Sequence, residues 1–261
     1  MKILLGREEA NPDKPDNPSQ TTRSSAAIYG YEEVVKVLLE RGDVDPDKPD
    51  DFDQTPLLFA AWFGHRGVVK MLLEQEEVDP DRPDNNDQTL LSFAAENGHE
   101  EAVKILLGLK EVNPDNPDND GRTPLSHAAE EGHEGVVKIL LRREEVDPDR
   151  SDNKGRTPLS HAAENGYEGV VKILLGREEV NPDKLDNDGQ TPLSHAQKNH
   201  EFVTEVLRQK GVNPEKPDRL SQSQFWHAQW SQYERVVALL QSRKVVTPSP
   251  IQGLRGTIPC K

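Results

Sequence analysis

The sequence predicts an all-α solenoid of stacked helix–turn–helix units joined by hairpin-like loops. Three observations carry that prediction. The stretch Thr123-Pro124-Leu125-Ser126-His127-Ala128 returns at Thr157 and again at Thr191, at a constant spacing of 34. The copies at Thr123 and Thr157 each hold two short apolar stripes at helical spacing, parted by a glycine. Hydrophobic residues make up only 33% of the 261, and charged residues 30%. That is little for one large core, but enough where each unit buries its faces against its neighbours.

The repeat extends in both directions. Backward steps of 34 reach Thr89-Leu90-Leu91-Ser92-Phe93-Ala94, then Thr55-Pro56-Leu57-Leu58-Phe59-Ala60, then a worn copy at Thr21-Thr22-Arg23-Ser24-Ser25-Ala26. Downstream, His227-Ala228 follows His195-Ala196 at a spacing of 32. Two single-residue deletions account for the difference, and one is the glycine missing between Asn199 and His200.

Within one unit every element has a local cause. Thr123 is a good N-cap, and Pro124 takes the first helical position, where a missing N–H costs nothing. Leu125, Ala128 and Ala129 share a face whose small side chains let the next helix come close. Gly132 stops the first helix. A second starts near His133 and carries Val136, Val137, Leu140 and Leu141 as its stripe. Glu134 and Lys138 form an i, i+4 pair on its outer face, repeated as Glu100–Lys104 and Glu168–Lys172, each worth ~0.2–0.5 kcal/mol. Asp147-Pro148-Asp149 then forbids helix, and Asp120-Gly121 or Asp188-Gly189 makes a tight turn before the next Thr-Pro-Leu.

These residues resemble the ankyrin repeat: Thr-Pro-Leu, Ala-Ala, Gly-His, Val-Val-Lys-Ile-Leu-Leu and the Val-Asn/Asp loop, recurring about seven times along nearly the whole chain. The tetratricopeptide repeat has a similar period but wants longer helices and a Trp-Leu-Gly-Tyr pattern that is not found here. Two departures stand out. Ser126, Ser160 and Ser194 occupy the position where the family usually has histidine, and the histidine follows one place later. The period is 34 rather than 33, which predicts longer or kinked hairpin tips. The resemblance implies a protein-interaction scaffold or adaptor that binds a protein partner through its concave face and hairpin tips, and not an enzyme. The alternative it allows is a regulatory or sensor segment of a larger signalling protein.

The expected organisation follows. Residues 1–18 form a partial repeat, because Lys2–Glu9 is identical to Lys172–Glu179 and so reads as a second helix and loop. Residues 19–220 hold ankyrin-like repeats, 221–256 a degenerate one, and 257–261 the start of another. Such a chain is expected to be a segment of a longer array or the product of a shortened gene. The expected state is a monomer, unless an uncapped N-terminal end self-associates.

Comparison of the repeats with one another points to a candidate site. Central repeats end their first helices with polar pairs: Glu96-Asn97, Glu130-Glu131 and Glu164-Asn165. The early counterparts are Ile28-Tyr29 and Trp62-Phe63, and Phe59 and Phe93 stand where later repeats have histidine. Large apolar residues at positions that are polar elsewhere suggest an exposed binding patch, since aromatics dominate interaction hot spots. The competing reading is local packing around an irregular N-terminal end. Trp226 and Trp230 in the last repeat form a second, weaker candidate, for which capping of a weak end is the better account.

Other chemistry finds less support. His127, His161, His195 and His227 form a ladder, but stacked helices stand ~8–10 Å apart and zinc needs nitrogens ~2.1 Å from itself. No metal is expected, and no cofactor. Glu178, Glu179, Asp183 and Asp186 lack the spacing of a calcium loop. No phosphate loop, Gly-x-Ser-x-Gly elbow or His-Glu-x-x-His occurs, and the carboxylate pairs follow the repeat rather than break it. The net charge of −15 argues against nucleic acid and anionic membranes. The lone Cys260 allows no internal disulfide. No apolar run approaches the ~20 residues of a membrane span, and the opening residues are too short for a signal peptide. An intracellular, cytoplasmic location is the expectation.

Overall fold

The computed structural model describes residues 22–41, 45–209, 212–213 and 221–243. The partial repeat at 1–18, the truncated one at 257–261 and Cys260 lie outside the described residues. Five helix pairs come first. They are α1 (Thr22–Ile28) with α2 (Glu32–Leu39), α3 (Pro56–Trp62) with α4 (Arg66–Leu73), and α5 (Leu90–Glu96) with α6 (Glu100–Leu106). Then come α7 (Pro124–Glu130) with α8 (Glu134–Leu140), and α9 (Pro158–Glu164) with α10 (Glu168–Leu175). Two long helices close the array, α11 (Pro192–Gln209) and α12 (Ser221–Arg243).

The first helices start as the sequence requires. Thr55, Thr89, Thr123 and Thr157 each accept a hydrogen bond from the backbone N–H three places on. The serine that replaces the family's usual histidine completes the cap: Ser160 Oγ accepts from the Thr157 N–H at 3.2 Å. The last turn gives way to glycine in the left-handed region, with φ of +72° at Gly98 and +77° at Gly132. Gly98 is required twice over. A Cβ there would also come within 2.6 Å of the His133 ring, which lies flat on it from the next repeat. His133 Nε2 meets the Glu96 carbonyl at 2.8 Å, as His99 meets that of Trp62 at 2.6 Å and His65 that of Ile28 at 2.8 Å. Each second helix is thereby locked to the end of the first helix of the preceding repeat.

Leu125, Ala128 and Ala129 of α7, with Val136, Val137 and Leu140 of α8, are wholly buried, and the same positions recur repeat after repeat. The loops add their own ladder. Asn153 N–H donates to the Asp120 carbonyl at 2.8 Å and Asn187 N–H to that of Lys154 at 2.9 Å. Their side-chain amides reach the Asn119 and Asn153 carbonyls at 2.9 and 3.0 Å.

The end of the array departs from expectation. The sequence predicts a helix, a stop and a second helix over residues 192–209, yet α11 runs through without a break. Gly166, whose φ is +76°, has no counterpart in this repeat, because the glycine is missing between Asn199 and His200. A non-glycine residue held in that region costs about 1–2 kcal/mol, whereas continuing the helix costs nothing, so no stop forms. Gln232, where the stop of the following repeat would fall, lies inside α12 for the same reason.

Candidate partner-binding groove

Clefts lie between the last turns of the first helices and the hairpin tips, one lined by Gln88, Glu96, Asp118, Arg122 and His127 and another by Arg156, Glu164, Asp186 and His195. In the central repeats their walls are clamped together by charge. Arg122 Nη1 reaches Glu130 Oε2 at 2.9 Å, and Arg156 Nη1 reaches Glu164 Oε2 at 2.8 Å. Gln88 makes the neutral version, donating to Glu96 at 2.8 Å.

The aspartate at the base of each tip organises the turn. Asp118 Oδ1 accepts from the N–H groups of Asp120 and Arg122 at 2.9 and 2.8 Å. Its second oxygen pairs with His127 Nε2 at 2.9 Å. Asp152 pairs with His161 at 3.1 Å and Asp186 with His195 at 2.7 Å. Burial pushes these carboxyls up, but hydrogen bonds from histidine and from the turn N–H groups outweigh it and hold all three below the ordinary value. Three rungs of the histidine ladder are thus each occupied by an aspartate of their own repeat. Among the described residues no group of three or more His, Cys, Asp or Glu could hold a metal ion.

The early repeats replace this chemistry with rings. Phe59 and Phe93 take the histidine position and are buried, 6% and 5% exposed, so they belong to the wall of the groove rather than its open surface. Trp62 is half-buried and stacks on Phe93 at 4.9 Å. Phe63, 47% exposed, stacks beside Trp62 at 6.0 Å. Ile28 is half-buried, and Tyr29 is 65% exposed. Of the six candidate residues, two are open to solvent, two are partly covered and two are buried.

The structure adds two residues that comparison of the helix ends passes over. Tyr31, 52% exposed, stacks with Tyr29 at 5.7 Å. It occupies the Gly-His position filled by His65 in the next repeat. Phe52, 62% exposed, stands on the hairpin tip where later repeats have Asn86, Asp120, Lys154 and Asp188. Aligning the tips would have singled it out. The second candidate proves structural at one residue: Trp230 Nε1 donates to Thr204 Oγ1 at 3.0 Å and packs by His200, tying α12 to α11. Trp226 is half-buried and meets Phe225 edge-on at 5.6 Å.

The family model described as ankyrin repeats (3 copies) matches residues 76–152 and 141–218. A second, described as ankyrin repeats (many copies), matches 24–73. The chain belongs to the ankyrin-repeat family. A search of curated proteins gave no match. Ankyrin repeats are in general protein–protein interaction modules, and proteins built of them are typically non-enzymatic scaffolds. The polar groups of the groove in this array fit that role, because Arg122–Glu130 and Arg156–Glu164 are one arrangement repeated rather than a unique constellation. Among the described residues no helix is long and apolar enough to cross a membrane.

Proposed function

We propose that this array is a scaffold or adaptor that binds a protein partner along the groove, and that the aromatic end formed by Tyr29, Trp62 and Phe63 is where most of the binding energy is gained. The observation that carries the reading is the exposure of Tyr29 and Phe63 at positions that are polar in the sister repeats. Ile28 precedes Tyr29, and Phe93 stacks on Trp62. Two features favour tight recognition. The rings are held by stacking, so little rotamer entropy is lost on binding. The Arg122–Glu130 and Arg156–Glu164 pairs further along the array add polar groups beside this apolar end. The partner this surface suits presents an apolar or aromatic side chain to the N-terminal end and polar groups to the hairpin tips.

The test uses Tyr29→Asn with Phe63→Asn, which copies the sister repeats and spares the half-buried Trp62. Proteins captured by the wild-type array are identified, purified and titrated calorimetrically against both versions, after their melting temperatures are shown to agree. Loss of two hot-spot rings at about 2 kcal/mol or more each predicts affinity weakened at least a hundredfold. Equal affinity for both versions would remove the aromatic end from the site and move attention to the tips.

A further inference from the structure

The unbroken helices at the end of the array have a consequence for which segment stacks on α10. In each regular repeat a second helix docks on the second helix before it. Residues 200–208 align with 167–175 and should fill that place after α10: Val203 matches Val170, and Leu207 matches Leu174. Residues 233–243 align with 167–177 equally well, with Tyr233, Val236, Leu240 and Arg243 on Tyr167, Val170, Leu174 and Arg177.

It is the later segment that docks. Tyr233 lies over Gly166 and donates its hydroxyl to the Glu164 carbonyl at 3.0 Å, the contact that His133 makes with Gly98 and Glu96. Arg235, at the position of Gly169, pairs with Glu168. Arg243 donates to the Leu175 carbonyl, as Arg143 does to that of Leu107. The continuous core passes from Ala196 to Val236 and Leu240 and omits Val203 and Leu207. Those two are buried apart from it, on the stretch of α11 that Trp230 ties to α12.

We propose that the end of the array is an exchange switch, in which His200–Arg208 and Tyr233–Arg243 compete for the one docking face on α10. The glycine missing before His200 and the glutamine at 232 set the balance. With no glycine at either, first and second helices fuse, the second half of α11 is carried away from the stack, and α12 folds back to fill the gap. With glycines there, the same chain would stack as two further regular repeats. The exchanged state leaves Phe202 and Phe225, 63% and 60% exposed, on the helical pair. Whatever engages those rings would bias the switch.

The test reads proximity to Lys172 on α10 in the full chain with Cys260→Ser. Glu205 and Ala238 align with Lys172 in the two competing segments, and both are exposed. Cysteine pairs at 172 and 238, or at 172 and 205, are joined by a bismaleimide able to span neighbouring helices about 10 Å apart. The 172–238 pair should give the dominant within-chain product. Inserting glycine between Asn199 and His200, together with Gln232→Gly, should move the product to 172–205. A dominant 172–205 product without added glycine would overturn the exchanged arrangement. Unchanged 172–238 capture with the glycines would overturn the competition, and crosslinks chiefly between chains would overturn the within-chain exchange. Circular dichroism confirms that the glycine variant folds; if it does not, the glycine insertion alone is read in the same way.

Discussion

At residues 118–131 and 152–165 the groove is held by charge, with a histidine on each turn aspartate and an arginine clamped to a glutamate. At residues 50–63 and 84–97 the same backbone positions carry Phe59 and Phe93 in place of histidine and Gln54 and Gln88 in place of arginine. The helices and caps are unchanged, so the fold does not depend on which chemistry lines the groove. The solenoid fixes backbone positions, and the side chains at a few of them are free to specify a partner. The central repeats use that freedom for self-pairing, although Arg156 Nε and His161 Nδ1 are left without a hydrogen-bond partner. The early repeats use it to place rings in solvent.

The largest expected effect breaks the aromatic end. Phe93→Ala removes a buried ring and the support beneath Trp62, and should cost about 3–5 kcal/mol in a denaturant melt. Phe93→His copies the central repeats and offers a partner to Asp84. It should cost less than the alanine and should shift Trp62 fluorescence as the stack is lost. Equal costs for the two substitutions would show that the histidine position is set by more than the aspartate beneath it.

The converse substitution, His161→Phe, breaks the charged region. Asp152 Oδ2 would lose its hydrogen-bond partner and keep only the longer 3.7 Å pairing with Arg156 Nε, at a cost of about 1–3 kcal/mol against little change in partner affinity. A loss of affinity larger than the loss of stability would place binding in the central groove instead.

Acid should distinguish the same elements. Asp118, Asp152 and Asp186 have folded pKa values below the unfolded value of about 3.9. Their contribution is present above about pH 4 and is lost as the pH falls through the lower folded values. Asp47, Asp81, Asp115 and Asp149 are pushed up, chiefly by burial, so their contribution has the opposite sign: it grows as pH falls and is absent at neutrality. Urea melts from about pH 3 to 7 should therefore show a shallower acid loss in His161→Phe than in wild type, because Asp152 loses one of the bonds that lowers it. Parallel curves would mean that the turn N–H groups alone hold Asp152 down.

Much of this was legible in the sequence because the repeat supplies its own control. Thr-Pro-Leu, the glycine stops and the valine–leucine stripes each have a local cause, and recurrence at a fixed period separates them from chance. The aromatic departures could be found in the same way. Their burial could not, because Phe59, Trp62 and Phe63 are spaced i, i+3 and i+4 on one helix face, and how far each is covered depends on the neighbouring repeats, as where Trp62 lies against Phe93. The end of the array was the hardest part to read. The glycine missing between Asn199 and His200 was visible, but whether a lost stop gives a shifted helix or a fused one depends on what else can dock on α10. That competitor, Tyr233–Arg243, lies a whole repeat further along the chain.

The smallest effect concerns the hairpin tips. Gly121, Gly155 and Gly189 sit at φ between +71° and +79°, while the early repeats place Asp53 and Asp87 there at +59° and +56°. Aspartate tolerates this region better than most side chains, and glycine brings its own entropic cost of roughly 0.5–1 kcal/mol. The two nearly cancel, so Asp87→Gly should change stability by no more than about 0.5 kcal/mol. A larger gain would show that the aromatic end stores strain in its turns that the central repeats do not. In that case Asp53→Gly, on the tip that carries Phe52, should weaken partner affinity as the ring gains freedom. If both substitutions are silent, the aspartates are tolerated replacements, and the difference between the two regions lies wholly in the side chains that line the groove.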